Sequence, residues 1–419
     1  MNISMFTNTY LPHVGGVARS VSTFAAALRA LRQNVMVVAP TFGGKPDTED
    51  EKHVLRVAAI QNFNGSDFSV RIPLPGVIEK NIIRFQPDII HSHHPFLLGD
   101  AALRTAQRFD LPIVFTHHTL YEQYTHYVPF ASDAMKRFVI NLATEYANLC
   151  NCIIAPSNSI KRLLEKRGVV RPVVVLPTGI DLEFFRQGKA RIFRKRYNIP
   201  ADYSIIGHTG RLAREKNLPY LASAVKRFLK KNNKFFFVVA GVGDAEKEIK
   251  KIFAAENLSH YLIMPGILKG RDLADCYKAM DLFVFASKSE TQGLVLMEAM
   301  AAGVPVIALR ASGVSDVVED RKNGRILRAN CSEKAFADAI AEAFKGDEIE
   351  QWRRAAPETA RRFSRRNCAE RLLAIYEETI RKNTRPDYQP DVLDTLRKKV
   401  KVEWELLQEK ASAMMKTLT

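Results

Sequence analysis

Short apolar runs alternate with amphipathic stretches along most of the chain. Ile3 to Thr7 is one such run, and the loop Pro12-His13-Val14-Gly15-Gly16-Val17 follows it. Ala18 to Leu31 then sets Val21, Phe24, Ala25, Leu28 and Leu31 at helical spacing, and Val35 to Ala39 reads as the next strand. Strand, glycine loop, helix, strand is a βαβ opening. Further strands are expected at Ile89-Ile90, Ile113 to Thr116 and Ile153 to Ala155, with helical stretches between them. Strands apolar throughout predict a parallel sheet buried on both faces.

A second series of the same kind follows Val173-Val174-Val175-Leu176-Pro177. Its strands are expected at Ser204 to Gly207, Phe235 to Ala240, Leu262-Ile263, Leu282 to Ala286 and Val304 to Ala308, with helices such as Leu218 to Leu229 and Gly293 to Ala302 between. The pattern therefore divides the chain into an α/β domain over 1–172 and another over 173–366, joined near Val173 to Phe185. Asn367 to Lys382 reads as a helix with Leu372, Leu373, Ile375, Tyr376 and Ile380 on its apolar side. Pro386 and Pro390 end it, and the extension 384–419 carries Val392, Leu396, Val400, Trp404 and Leu407 at heptad-like spacing. Packing on its own chain and contact with an oligomer partner both suit that extension.

Composition narrows the picture. A chain of 419 residues exceeds the usual size of one core, so two domains are the default. Lys and Arg total 62 against 45 Asp and Glu, a net charge of +17, which favours an acidic partner. From Arg186 to Lys234 there are fourteen Lys or Arg and only two acids, Asp202 and Glu215; a solvated face is the alternative explanation for that run. No nucleic-acid-binding module is recognisable, and the basic residues interleave poorly with aromatics, so nucleic acid is not the expected partner. Cys150, Cys152, Cys276, Cys331 and Cys368 are odd in number and lack zinc-site spacing, which fits reduced thiols in the cytoplasm. Met1 to Pro12 lacks the form of a signal peptide, and no apolar run is long enough to span a bilayer.

Four features carry candidate chemistry. In Glu290-Thr-Gln-Gly-Leu-Val-Leu-Met-Glu298 one carboxylate belongs to the loop before a helix and the other to its second turn, too far apart for one metal site. Gln292, Gly293 and Leu294 are expected to offer free backbone N–H groups at that helix start, suited to an anion or sugar hydroxyls. Glu298 is placed to reach a ribose diol. In Gly210-Arg211-Leu-Ala-Arg-Glu-Lys216-Asn217, Arg211 offers a planar fork and Lys216 a compact charge at a strand end, a match for a diphosphate. Gly15 and Gly16 allow backbone amides close approach to an anion, but the loop is not Gly-x-Gly-x-x-Gly, so a nicotinamide dehydrogenase fits poorly. His117 and His118 follow one strand, and His91, His93 and His94 follow the strand before. No Cys or acid completes a metal set among them; a His there suits a hydrogen bond to a sugar hydroxyl or a proton shift.

Together these features resemble the family 4 glycosyltransferases over about 2–383. The Glu290-x7-Glu298 motif within Gly-Leu-Val-Leu-Met-Glu-Ala-Met-Ala-Ala-Gly-Val-Pro-Val, combined with Gly210-Arg211-x4-Lys216-Asn217, carries the resemblance. It implies the GT-B fold: two Rossmann-like domains facing across a cleft, residues 1–172 for the acceptor and 173–366 for the nucleotide-sugar donor. Helix 367–383 would cross back to the first domain. It implies that Arg211 and Lys216 hold the donor diphosphate, that Glu290 and His118 touch the transferred sugar, and that Gln292 to Leu294 supply backbone contacts. Glu298 would bind ribose, Gly16 would lie near the phosphates, Gly241 and Gly243 beside the nucleoside, and Ile267 at the base. The run His117-His118-Thr119-Leu120-Tyr121-Glu122-x-Tyr124-x-His126-Tyr127, followed by Pro129, and Ala311-Ser312-Gly313-Val314-Ser315-Asp316-Val317-Val318 look like bacterial diacylglycerol glucosyltransferases.

The implied reaction transfers a hexose, glucose from UDP-glucose, to a lipid hydroxyl with retention of anomeric configuration. A same-fold enzyme acting on a soluble sugar, a polysaccharide precursor or a phosphoinositol lipid is the alternative. No carboxylate pair is placed as in a retaining glycosidase, which favours front-face attack with diphosphate leaving toward Arg211 and Lys216. No Asp-x-Asp sequence lies near the donor loops, so no metal or other cofactor is expected. Tyr121, Tyr124, Tyr127 and Phe130 are the expected acceptor and membrane contacts, and helix Ala134 to Leu149 either packs in the core or dips into the bilayer. The charge, with a modest apolar patch, favours peripheral attachment to anionic lipid, and the resemblance implies the inner face of the cell membrane.

Overall fold

The apolar runs form two wholly parallel sheets. The computed structural model describes residues 1–13, 15–42, 49–60, 70–71, 76–123, 132–288, 290–383, 405–406, 408–410 and 412. In the first sheet β1 (Asn2–Phe6), β2 (Asn34–Pro40), β3 (Val54–Val57), β6 (Ile89–Ser92), β7 (Ile113–Thr116), β8 (Cys152–Ala155) and β9 (Val173–Val175) lie in the order β3-β2-β1-β6-β7-β8-β9; β4 (Ala59–Ile60) and β5 (Val70–Arg71) form a separate antiparallel ladder. In the second, β10 (Ser204–Thr209), β11 (Phe235–Ala240), β12 (Leu262–Gly266), β13 (Leu282–Phe285), β14 (Val306–Leu309) and β15 (Gly324–Leu327) lie in the order β12-β11-β10-β13-β14-β15. Each order reverses once, between β1 and β6 and between β10 and β13. Ligands of open α/β sheets bind beyond the strand carboxyl ends at such a reversal.

The two-residue period of a strand sends alternate side chains to opposite faces. In the first unit Ile3 and Met5 face the helix Gly16–Ala30, through Val21, Phe24 and Leu28, and the helix Arg365–Asn383, through Cys368, Leu372 and Tyr376. Phe6, Ile90, Phe115 and Ile153 face the other way, onto Leu103 and Tyr146. In the second unit Ile205, Phe283 and Phe285 pack on Tyr277, Met297 and Met300, while Ile206, Val239, Val284 and Ile307 pack on Leu221, Val225, Phe336 and Trp352. A fully buried side chain of this size contributes about 1.5–3 kcal/mol relative to exposure.

The chain separates into one unit of Met1–Gly179 with Arg365–Thr419 and another of Ile180–Ser364. The sequence pattern begins the second domain at residue 173, but Val173–Val175 pairs with β8 and closes the first sheet. Three valines carry no mark of which sheet they will join; only the free edge of β8 decides it. Helix Arg365–Asn383 belongs to the first unit, where Tyr376 is fully buried.

Most of the extension 384–419, with Val392, Leu396, Val400, Trp404 and Leu407, lies outside the described residues. Its described part packs on its own chain. Leu406 is buried in the first unit's core, Gln107 donates to Glu405, and Lys410 pairs with Asp100. Glu409 is buried there, and among the described residues its carboxylate oxygens have no hydrogen-bond partner. Burial, then Asp100 and Glu145, push it up to about 8, with Lys410 opposing. A carboxyl raised above its unfolded value of 4.5 stabilises docking fully below that value and loses the contribution as pH climbs through 8. Limited proteolysis should therefore cut near 405–412 faster at pH 9 than at pH 6, and Glu409→Gln should abolish that difference.

The basic run is largely neutralised by carboxylates from elsewhere in the same unit and by its own two acids. Arg186, Arg194, Arg196, Arg211, Arg214, Lys216, Lys226, Lys230 and Lys234 all stand within ion-pair distance of a carboxylate. Nine of its fourteen cations thus have an anionic neighbour, and a single free basic face is not what this segment forms. Among the described residues, no helix is long and apolar enough to cross a membrane.

Candidate functional site

The residues singled out in the second unit all follow strand carboxyl ends. Arg211 and Lys216 come after β10, Gly241 and Gly243 after β11, Ile267 after β12, and Glu290 after β13. Backbone bonds lock these loops together: Gly210 donates to Ala240, Leu212 to Val242, and Gly241 to Gly266. Gly241 and Gly243 have φ of +144° and +157°, and a Cβ on them would stand 1.9 Å from the Gly210 carbonyl oxygen and 2.4 Å from that of Leu212. These positions need glycine so that the two loops can touch. Ile267 is 56% exposed and Val242 45%, leaving two apolar side chains open on the same loop set.

Glu290 organises the start of helix Leu294–Ala301. Its Oε1 accepts from the amides of Thr291, Gln292 and Gly293 at 3.2, 3.2 and 2.9 Å. Its Oε2 lies 3.4 Å from Lys216 Nζ. The expectation of free amides at Gln292 to Leu294 is thereby corrected: the donating set is shifted one residue back, and it already has an anion. The physical cause is proximity, since Glu290 is the nearest carboxylate to an amide cluster carrying the positive end of a helix dipole. Arg211, half exposed, pairs with Glu215, and the amide of Lys288 donates to the Glu215 carbonyl. The loops after β10 and β13 thus bring together the Lys216–Glu290 and Arg211–Glu215 pairs and three amides turned onto Glu290.

Glu298 is buried on the second turn. Tyr277 donates to its Oε2 at 2.7 Å and lies within a short hydrogen bond of Thr209. Neither Tyr277 nor Thr209 is visible as functional in the sequence, because one occupies an ordinary helical position and the other a strand end. Tyr277→Phe removes the hydroxyl from a buried carboxylate and should cost about 1–3 kcal/mol of stability, read by urea unfolding with secondary structure intact. His208 escaped notice for the same reason: it is buried in β10, bonds Val284's carbonyl through Nδ1, and burial lowers it to about 4.

In the first unit the histidines gather at the carboxyl ends of β6 and β7. His91 joins Tyr376 through Nδ1 at 2.5 Å and Thr116 through Nε2 at 2.7 Å. His94 Nδ1 accepts from the Asn8 amide at 3.1 Å. His93 Nδ1 meets His118 Nε2 at 2.9 Å. Burial holds all five neutral, with His94, His117 and His118 lowered to about 3. Among the described residues, no group of three His, Cys, Asp or Glu side chains is arranged to hold a metal ion. Four of the neutral rings are hydrogen-bonded, and among the described residues His117 is buried with no hydrogen-bond partner for either ring nitrogen.

Gly15 precedes helix Gly16–Ala30 with no side-chain cap, and a Cβ on Gly16 would meet nothing within 4 Å. Space is open at Gly16, whereas a Cβ on Gly15 would stand 3.0 Å from the His13 ring. Tyr121 is half-buried, its ring edge-on to His117 and Phe96 and its hydroxyl buried. The adjoining rings thus enclose a hydroxyl of a residue expected among the acceptor and membrane contacts. Tyr124, Tyr127 and Phe130 lie outside the described residues. Helix Asp133–Leu149 buries Ala143, Thr144, Tyr146 and Ala147 in its second half, while Phe138 to Leu142 are half-buried and Lys136 and Arg137 exposed.

Comparison with known proteins shows the family. Residues 189–363 match the family described as "Glycosyl transferases group 1", and residues 14–184 match "Glycosyltransferase Family 4". The chain belongs to the family 4 glycosyltransferases, with the GT-B fold, and is a hexosyltransferase. It is 30% identical to the alpha-monoglucosyldiacylglycerol synthase of Streptococcus pneumoniae over 82% of this chain and 78% of that one. It is 29% identical to a GDP-mannose-dependent alpha-mannosyltransferase of Corynebacterium glutamicum, over 78% and 76% of the two chains. Among solved structures, sucrose-phosphate synthase from Thermosynechococcus elongatus superimposes with a TM-score of 0.75 at 21% identity, covering 91% of this chain and 99% of that one.

Proposed function

We propose that this glycosyltransferase moves glucose from UDP-glucose to the free hydroxyl of diacylglycerol, with retention of configuration, at the inner face of the cell membrane. The observation that carries the reading is Glu290, held between three amides and Lys216 at the reversal of the second sheet. A carboxylate fixed on both oxygens is a rigid hydrogen-bond acceptor for sugar hydroxyls, and Lys216 beside it faces the charge that grows on a departing diphosphate. Arg211 shares that role, Glu298 holds ribose, Gly241, Gly243 and Ile267 border the nucleoside, and Gly15 and Gly16 admit the phosphates.

In the proposed step the bond from sugar C1 to the phosphate oxygen breaks as the acceptor oxygen bonds to C1 on the same face. The acceptor's proton passes to the departing phosphate. No side chain is needed as base, and the neutral His118 suits a hydrogen bond to the sugar rather than proton uptake. The roles given to Lys216, Arg211 and the departing phosphate need no divalent ion, so transfer should persist in EDTA.

The likeness to an alpha-monoglucosyldiacylglycerol synthase supports glucose and diacylglycerol. The likeness to a GDP-mannose-dependent enzyme at nearly the same identity keeps GDP-mannose as the second donor. Half-buried Phe138 to Leu142 beside exposed Lys136 and Arg137 support peripheral attachment to anionic lipid. Purified protein should be offered UDP-glucose and GDP-mannose with diacylglycerol in vesicles of rising anionic content, at low and high salt, with product read by mass spectrometry. Glucosyldiacylglycerol formation that rises with anionic lipid and falls with salt is expected. A water-soluble product with no vesicle binding would end the lipid reading and keep the enzyme class.

A further inference from the structure

His118 is one of the residues given a substrate contact above, and the structure says what holds its ring. His93 leaves the end of β6 with its own amide donating to the Phe6 carbonyl. Its side chain is fully buried, its ring tilted against that of His91 with centroids 4.0 Å apart, and Tyr376 and Thr116 fix His91 from either side. From that position His93 Nδ1 reaches His118 Nε2 at 2.9 Å. Two neutral imidazoles in this contact need one proton between the two nitrogens, so each ring dictates the other's tautomer.

The direction follows from the far side of His93. Among the described residues its Nε2 is buried and has no hydrogen-bond partner. A buried N–H without an acceptor is costlier than a bare lone pair. The proton of His93 therefore sits on Nδ1 and is donated to His118 Nε2. With its Nε2 accepting, neutral His118 carries its own proton on Nδ1.

We infer that His93 is a positioning residue: its Nδ1–H fixes His118 as the Nδ1–H tautomer, so that His118 meets substrate as a hydrogen-bond donor and not as a base. This rests on the reading of His118 as substrate-facing. A donor suits a hydroxyl or phosphate oxygen, and the buried histidine behind it keeps the ring from turning over. Burial lowers both rings well below their ordinary range, in keeping with a neutral pair.

The test uses the full chain labelled with nitrogen-15, its histidine ring nitrogens read by long-range proton correlation and His118 assigned by its loss in His118→Asn. The expected wild-type pattern is protonated Nδ1 and bare Nε2 on His118. His93→Asn, whose amide can donate from near the former Nδ1 position, should keep it, and His93→Phe should lose it. In transfer assays His93→Phe should lower kcat/KM about tenfold, the scale of one lost hydrogen bond. Its donor KM should hold, His93→Asn should stay near wild type, and His93→Phe should add nothing to His118→Ala. A purely structural role predicts instead equal losses in both His93 variants, with falling thermal stability. An Nε2–H or doubly protonated His118, or an unchanged ring pattern in His93→Phe, overturns the inference. Wild-type transfer by His118→Ala with the expected tautomer present would overturn it differently, by removing the substrate-facing role on which it rests.

Discussion

Lys216→Ala should lower kcat/KM for sugar transfer about 10- to 100-fold, the range for a lost charge-assisted bond of about 1.5–3 kcal/mol. The ammonium is the less exposed of the two cations proposed for the diphosphate, at 19% against 49% for Arg211, so less solvent screens it. Its loss also leaves Glu290 with amides alone. Thermal stability should hardly change, because Lys216 closes a short 3-10 turn, Arg214–Lys216, and packs no core. Arg211→Ala should cost less, since a half-exposed guanidinium already engaged by Glu215 has less to give. Lys216→Arg should not restore activity: a planar fork does not replace a compact charge in that space. Steady-state kinetics with both substrates varied checks the order. Near-normal rates in Lys216→Ala would remove the diphosphate from this place.

Gly241→Ala should be the most damaging single methyl in the second unit. The added Cβ would stand 1.9 Å from the Gly210 carbonyl oxygen, a backbone atom that cannot swing aside, at a φ of +144°. Overpacking of about 1–3 kcal/mol adds to about 1–2 kcal/mol for the unfavourable backbone conformation. The loops after β10 and β11 must separate to relieve it, and Arg211 with Lys216 move with them. A lower melting temperature together with lost donor binding is expected. Gly266→Ala is the control: its φ is +75°, but the new methyl meets nothing within 4 Å, so only the backbone cost should appear. Equal destabilisation by the two changes would show that the contact with Gly210 is not what requires glycine at 241.

Local pattern alone places several elements. Helix Leu218–Leu229 and strand Phe235–Ala240 stand where the pattern put them, and helix Gly16–Ala30 within two residues. The loops carrying Arg211, Lys216, Gly241 and Glu290 could be placed at strand ends because apolar runs stop at glycine or charge. In each case the signal is local: side-chain period and turn chemistry act over a few residues, whatever the rest of the chain does.

Tertiary structure decided everything that depends on a distant partner. It gave Val173–Val175 to the first sheet rather than the second, because the free edge of β8 took them. It turned the basic run into ion pairs by bringing carboxylates such as Asp272 and Asp281 to Arg196 and Arg194. It brought Lys216 to Glu290, set Tyr277 on Glu298, and closed His93 against His118 across 25 residues of sequence. Composition and period tell a side chain which face to bury, but a hydrogen bond needs a particular atom within about 3 Å, and the register of parallel strands and the packing of helices on them bring such atoms together.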